Sequence, residues 1–239
     1  MTPNRYVNSP TNVISLTMAN LTDRAGNAGV GTVVTANYAV DMIAPVVTSV
    51  TVPSNATYGA GQSLIFTVNW SKDVTADTTN GTPRIALDVG GATVYANYVS
   101  GTGSALVFEA VVPSGTTDAD GITVASSIAL NGGTLSDLAG NAAQLTLNSV
   151  EGTSSVLVDA ASLTVSSVTV PANGTYRTGQ NLDFTVTWSG NVTVTGTPRI
   201  PLNVGSSTVY ASYLSGSGTS RWFFGTRFRP ARLTLTALA

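Results

Sequence analysis

The sequence contains neither histidine nor cysteine. Without histidine there can be no Ser-His-Asp triad, no imidazole general base and no His-ligated zinc site. Without cysteine there is no disulfide, no thiolate nucleophile and no soft metal ligand, although a bacterial protein can be exported without cysteine. Charge is also scarce: Asp, Glu, Lys and Arg make up 9% of the chain, Lys72 is the single lysine, and glutamate occurs only at Glu109 and Glu151. Four of the ten basic residues lie beyond Ser220, so the rest of the chain sets six against twelve acidic residues. That balance disfavours nucleic acid or an anionic membrane as partner. The apolar runs are short and alternating, which predicts no transmembrane helix. The Met1 end (MTPNRYVNSPTNV) lacks the basic and apolar regions of a signal peptide. There is no P-loop or strand-to-helix GxGxxG, and nothing selects the carboxylate pair that a glycosidase requires. The expectation is a non-enzyme.

What the chain does have is a duplication. Thr51 to Trp70 (TVPSNATYGAGQSLIFTVNW) returns 118 positions later as Thr169 to Trp188 (TVPANGTYRTGQNLDFTVTW). Gly81 to Tyr98 (GTPRIALDVGGATVYANY) returns 115 positions later as Gly196 to Tyr213 (GTPRIPLNVGSSTVYASY), so three residues are deleted in the Asp77 to Asn80 turn. A period this long is a domain, because solenoid units run only about 20 to 50 residues. Leu21 to Ala28 (LTDRAGNA) matches Leu135 to Ala142 (LSDLAGNA), near the end of the complete copy. Residues 1–42 therefore read as the closing strands of a preceding domain, 43–159 as a complete repeat and 160–239 as a truncated second one. Val40-Asp41 and Val158-Asp159 each pass almost directly into the next Val/Thr run, with no Gly/Ser tract, which predicts short, semi-rigid links.

Within a repeat the alternation has period two. Leu64, Phe66, Val68 and Trp70 fall on one face, and their counterparts Leu182, Phe184, Val186 and Trp188 keep that face, while Ile65 becomes Asp183 on the other. Similar runs predict strands over 46–52, 85–89, 93–99, 106–112, 122–125, 145–147 and 155–158, punctuated by Gly90-Gly91, Gly101-Thr102-Gly103 and Asn131-Gly132-Gly133. Seven or eight short strands without an amphipathic helix predict an all-β chain of tandem, immunoglobulin-like antiparallel β-sandwiches.

Several motifs together, VPxxxTYxxGQxLxFTV from Val52, GTPRIxL from Gly81, DADGI from Asp118, DxAGN from Asp137 and VDA from Val158, resemble the bacterial immunoglobulin-like repeats of large, biofilm-associated surface adhesins. The resemblance covers residues 43–220 well and 1–42 loosely. It implies a stalk segment on the bacterial cell surface or in the extracellular space. Its partners would be neighbouring repeats of the same chain, with other parts of the full protein reaching a host, substrate or biofilm surface. Such a segment is non-catalytic, does not insert in a membrane and does not bind nucleic acid. It also implies calcium.

Calcium takes six to eight oxygens, which loops rich in Asp, Asn and Gly can supply. Asp118 and Asp120 place two carboxylates on one turn; Asp137 and Asn141 form a second candidate, echoed by Asp23 to Asn27; Asp41 and Asp159 stand at the repeat junctions, where an ion could bridge neighbours. The alternative for all of them is that Asp and Asn make Asx-turns and Gly supplies positive φ. Trp70 and Trp188 are expected in the core. Tyr95 and Tyr98 have opposite phases, as do Tyr210 and Tyr213, so one of each pair should be exposed, and Arg84 and Arg199 should be solvated or paired. Two other functions remain open: a carbohydrate- or surface-binding module, which needs an aromatic cluster, and an accessory domain of an extracellular enzyme.

The C-terminus breaks the pattern. By analogy with Ala105 onward, Thr219-Ser220 should lead into ALVFEAVVPSGTTDADGI, but the chain reads RWFFGTRFRPARLTLTALA. Synonymous codons for Ser220 to Ala239, read one base out of phase, give ALVFRYTVPAGEADADGI, which aligns without gaps on Ala105 to Ile122. Third positions are free, but most first and second positions are fixed by the residues, which makes a chance agreement of this length rare. The expectation is that residues 221–239 are a frameshifted tail. On that reading Arg221, Arg227, Arg229 and Arg232 with Trp222 and Phe223 are no binding patch.

Overall fold

The computed structural model describes residues 7–228, and every regular element among them is a β-strand. Residues 7–42 carry β1 (Asn8–Asn12), β2 (Ser15–Thr17), β3 (Thr32–Val34) and β4 (Tyr38–Asp41). β1 pairs with β4 and β2 with β3, both antiparallel, and the apolar side chains of Val13, Ile14, Leu16, Val33 and Val34 stay exposed. The predicted closing strands of a preceding domain fall in this region.

The complete copy holds β5 (Val47–Thr51), β6 (Ala56–Tyr58), β7 (Ser63–Trp70), β8 (Thr75–Asp77), β9 (Arg84–Val89) and β10 (Ala92–Ser100). It continues with β11 (Ala105–Val111), β12 (Thr117–Asp118), β13 (Thr123–Ala129), β14 (Thr134–Ser136) and β15 (Val156–Asp159). One sheet has the order β13-β9-β10-β11-β7-β5; two smaller sheets are ordered β12-β15-β6 and β14-β8. Alternation puts Leu64, Phe66, Val68 and Trp70 of β7 inward beside Ile85, Leu87 and Val89 of β9 and Leu106 and Phe108 of β11. Leu135 of β14 and Val156 and Val158 of β15, from the smaller sheets, belong to the same core. This two-layer packing is consistent with a β-sandwich. Phe66 and Phe108 face each other across β7 and β11, and Tyr98 meets Phe108 edge-on at 5.9 Å.

Two features differ from the expected antiparallel plan. β15 pairs with β6 in parallel. Residues 145–147 form no strand of their own, only an isolated bridge between Thr146 and Ser127. The short β6, β8, β12 and β14 were not among the predicted strands, since two or three residues carry no readable period.

The second unit, from Ser162, holds β16 (Val165–Thr169), β17 (Asn181–Val192), β18 (Arg199–Val204), β19 (Ser207–Ser215) and β20 (Thr219–Arg227) in one sheet ordered β16-β17-β20-β19-β18. This is the order of the first copy's large sheet with β13 missing. The start of the predicted frameshifted tail, residues 221–227, thus lies in a strand; residues 229–239 fall outside the described residues. Trp222 and Phe224 point inward, Trp222 lying 5.0 Å from Trp188 and 5.8 Å from Tyr213. Trp70 is buried and Trp188 half-buried, both packed in their cores as expected.

Truncating Phe66 or Phe108 to Ala should cost about 3–5 kcal/mol, the usual range for a buried aromatic. Phe184→Ala in the thinner second core should cost less. Denaturant titration followed by tryptophan fluorescence checks both.

Candidate functional site

The sequence motifs spend their polar groups inside each copy. The Tyr58 hydroxyl donates to the Ser54 carbonyl and the Tyr176 hydroxyl to that of Ala172; the Gln62 side-chain oxygen accepts from Gly59 N–H and that of Gln180 from Arg177 N–H. The TYxxGQ motif is therefore a locked turn, made the same way twice. In GTPR, the Pro83 carbonyl accepts from Tyr98 N–H and the Pro198 carbonyl from Tyr213 N–H. The Arg84 guanidinium lies 3.9 Å over the Tyr95 ring and that of Arg199 lies 4.2 Å over Tyr210. Tyr95 and Tyr210 are the exposed members of their pairs, as expected, and each already carries a cation on one ring face. The two glutamates are also engaged: Glu109 accepts from the Ser63 hydroxyl and Glu151 from Val52 N–H.

Asp118 and Asp120 do not converge. Asp118 is buried, with one oxygen accepting from Gly121 N–H at 2.8 Å and the other from Gly90 N–H at 2.8 Å. It is an Asx-type turn that also ties the β9–β10 hairpin to the segment before β13. Asp120 is exposed. Asp159, also exposed, ends β15, with one oxygen 3.4 Å from Ala161 N–H.

Asp41, Asp137 and Asn141 do come together, around Lys72. The ammonium donates to Asp137 Oδ2 at 2.8 Å, Asp41 Oδ2 at 2.5 Å and the Ile43 carbonyl at 2.8 Å. Asn141 Nδ2 donates to Asp137 Oδ2 at 2.9 Å and to the Asp41 carbonyl at 3.1 Å, while Asn141 N–H donates to Asp137 Oδ1 at 2.8 Å. The DxAGN motif closes on itself through these bonds, and Asp23 makes the same ones to Asn27. Lys72 is carried into place by the end of β7, just after the buried Trp70. Sequence reasoning missed this lysine as a functional group. Its signal was its singularity, together with Gly190 standing at the matching position of the second copy.

The local electrostatics follow from this geometry. Burial pushes the Asp137 carboxyl up, but the Lys72 ammonium and Asn141 outweigh it and hold the carboxyl at about 2. Asp41 is lowered chiefly by Lys72 and then by Ile43 N–H. Lys72 is raised, first by Asp137 and then by Asp41.

In this cluster a tethered ammonium occupies the space among the oxygens. Asp118 has both oxygens bonded to backbone N–H groups. Among the described residues no three acidic side chains gather in metal-binding proximity. Comparison with protein-family models, curated proteins and solved structures finds no match.

Lys72→Met should destabilise the complete copy by about 1–3 kcal/mol, since the buried Asp137 loses a charged partner. The pH signs are opposite for the two groups. The Asp137 contribution is full above the ordinary carboxylate range and is lost as pH falls towards about 2. The Lys72 contribution is full below the ordinary lysine value and is lost only in the alkaline range above it. Denaturant melts at pH 7 and pH 2.5 should therefore differ less in Asp137→Asn than in the parent protein.

Proposed function

We propose that this chain is a stalk or spacer segment of a bacterial cell-surface or secreted adhesin, built from tandem immunoglobulin-like β-sandwiches that set other parts of the protein apart. One observation carries the reading. The residues that recur between the copies make the same internal bonds in both, so what is repeated is a way of holding a fold together and not a set of groups turned out to a ligand.

The links agree with it. After β15 the Ala160 N–H still donates to the Thr116 carbonyl, and Gly115 N–H donates to the Ala160 carbonyl, so ordered bonding runs one residue past the strand. Only 161–164 then remain before β16. A link of this length has little of the conformational freedom of a Gly/Ser tract. Between 7–42 and the complete copy, Lys72 takes the role that the resemblance assigns to calcium, by joining Asp41 to Asp137. Any calcium contribution then falls to Asp120 and Asp159, whose carboxylates are exposed.

A load-bearing repeat unfolds as one unit under tension. Pulling the chain by its ends in a force spectrometer should release the complete copy in a single step of roughly 40 nm, given at most about 3.3–3.6 Å per extended residue. Gradual yielding at low force would remove the mechanical reading. Adding a chelator should leave the thermal midpoint of the complete copy unchanged; a clear drop would return calcium to the junction.

A further inference from the structure

Among the described residues, the second copy presents the inner face of one sheet with no second layer over it. Val47, Val50 and Val89 of the first copy are 2%, 0% and 2% exposed, whereas their counterparts Val165, Val168 and Val204 are 47%, 50% and 39% exposed. Apolar surface of this kind on a soluble protein marks a place where something docks.

Four details indicate what the face is shaped for. Ala56–Tyr58 forms β6 by pairing with β15, but the matching Gly174–Tyr176 forms no strand. Thr75–Asp77 forms β8 by pairing with β14, but the matching Thr193-Val194 lies outside any strand. Gly81 and Gly90 are required in the first copy, because a Cβ there would meet the Asn131 and Thr117 carbonyl oxygens at 1.9 Å. At Gly196 and Gly205 nothing lies within 4 Å of the same positions, so the close approach is missing, and their positive φ of 76° and 62° accounts for the glycines themselves. Finally, β13 pairs with Ile85 and Leu87 of β9 but its register skips Ala86, which is where the second copy has Pro201. A proline at that point leaves the docking of a β13-like strand intact.

All the missing contacts come from one stretch, residues 117–159, of which the sequence after Ser220 has no version in phase. We infer that the open face of the second copy is the seat of a segment equivalent to Thr117–Asp159, and that this occupant is encoded one base out of phase after Ser220. The out-of-phase reading supplies ADADGI opposite Thr117 to Ile122, including the aspartate whose Asp118 counterpart bonds Gly90 N–H and would meet Gly205 N–H here. The inference does not depend on the stalk reading.

The strand already present fits the same account. β11 pairs Phe108 with Phe66, and β20 pairs Phe224 with Phe184, so Phe224 takes the place of Phe108. The alignment of RWFF on ALVF after Ser220 puts it there too, and the tail keeps the apolar phase of β11, with Trp222 standing for Leu106.

Two measurements test this. The nucleotides after codon 220, read in the neighbouring phase, should continue past ADADGI into matches to Thr123–Asp159, including a DxAGN and a Val-Asp; a continuation without them overturns the assignment of the occupant. The full chain should also be compared with a chimera in which Leu106–Ala161 follows Ser220. The parent chain should bind an apolar dye such as ANS and the chimera should not, and the Thr175 and Tyr176 amides should gain protection from hydrogen exchange. Unchanged dye binding and exchange in a folded chimera would overturn the proposal. So would a parent chain that binds no dye because it self-associates, which would make a second copy the occupant. Circular dichroism with retained protection of the first copy shows that the chimera has folded.

Discussion

A β-sheet that is apolar on one face is only half of a structure, and this chain shows what the other half supplies. In the complete copy a six-stranded sheet is covered by two smaller sheets, and its inner residues are almost wholly removed from water. In the described residues of the second copy the same strand order recurs without the cover. The inner valines return to solvent, and the segments that would have paired with the cover are not strands. The two copies form a natural comparison in which the repeated motifs are kept and the opposing layer is the variable. Strand formation in the short segments follows the partner, as expected when β-propensity measures fit to a surface more than backbone preference.

The same comparison separates two kinds of glycine. Gly91 supplies a left-handed turn and would meet nothing if it carried a Cβ. Gly81 and Gly90, also at positive φ, in addition let another stretch of backbone come close. At Gly196 and Gly205 no such stretch approaches among the described residues, and positive φ alone accounts for the glycines. β20 shows the complementary behaviour: a segment with an unrelated sequence enters the sheet where its alternation is in phase, because a one-residue shift would exchange the faces.

Much of the fold was legible in advance, for a specific reason. β7, β9, β10 and β11 are long enough for period two to be counted, and duplication marks their solvent face through changes such as Ile65 to Asp183. β6, β8, β12 and β14 are too short to carry a period, and the parallel β15–β6 pairing joins segments about a hundred residues apart. At the candidate site, Asp41, Asp137 and Asn141 were picked out because they are oxygen-rich. What gathers them could not be inferred, since the cation is a side chain carried just past the end of β7, far from them in sequence. Asp118 was legible as a turn residue, but not as the tie between that turn and Gly90.

A single lysine at the centre of a structural joint also has a chemical consequence. Reagents that acylate ε-amines, whether acetyl donors or the activated esters used to couple proteins to surfaces, have one side-chain target in this sequence. Acylating it would neutralise the charge that Asp41 and Asp137 share, so coupling through the lysine would loosen the protein at that joint, whereas coupling through the phenol rings would spare it.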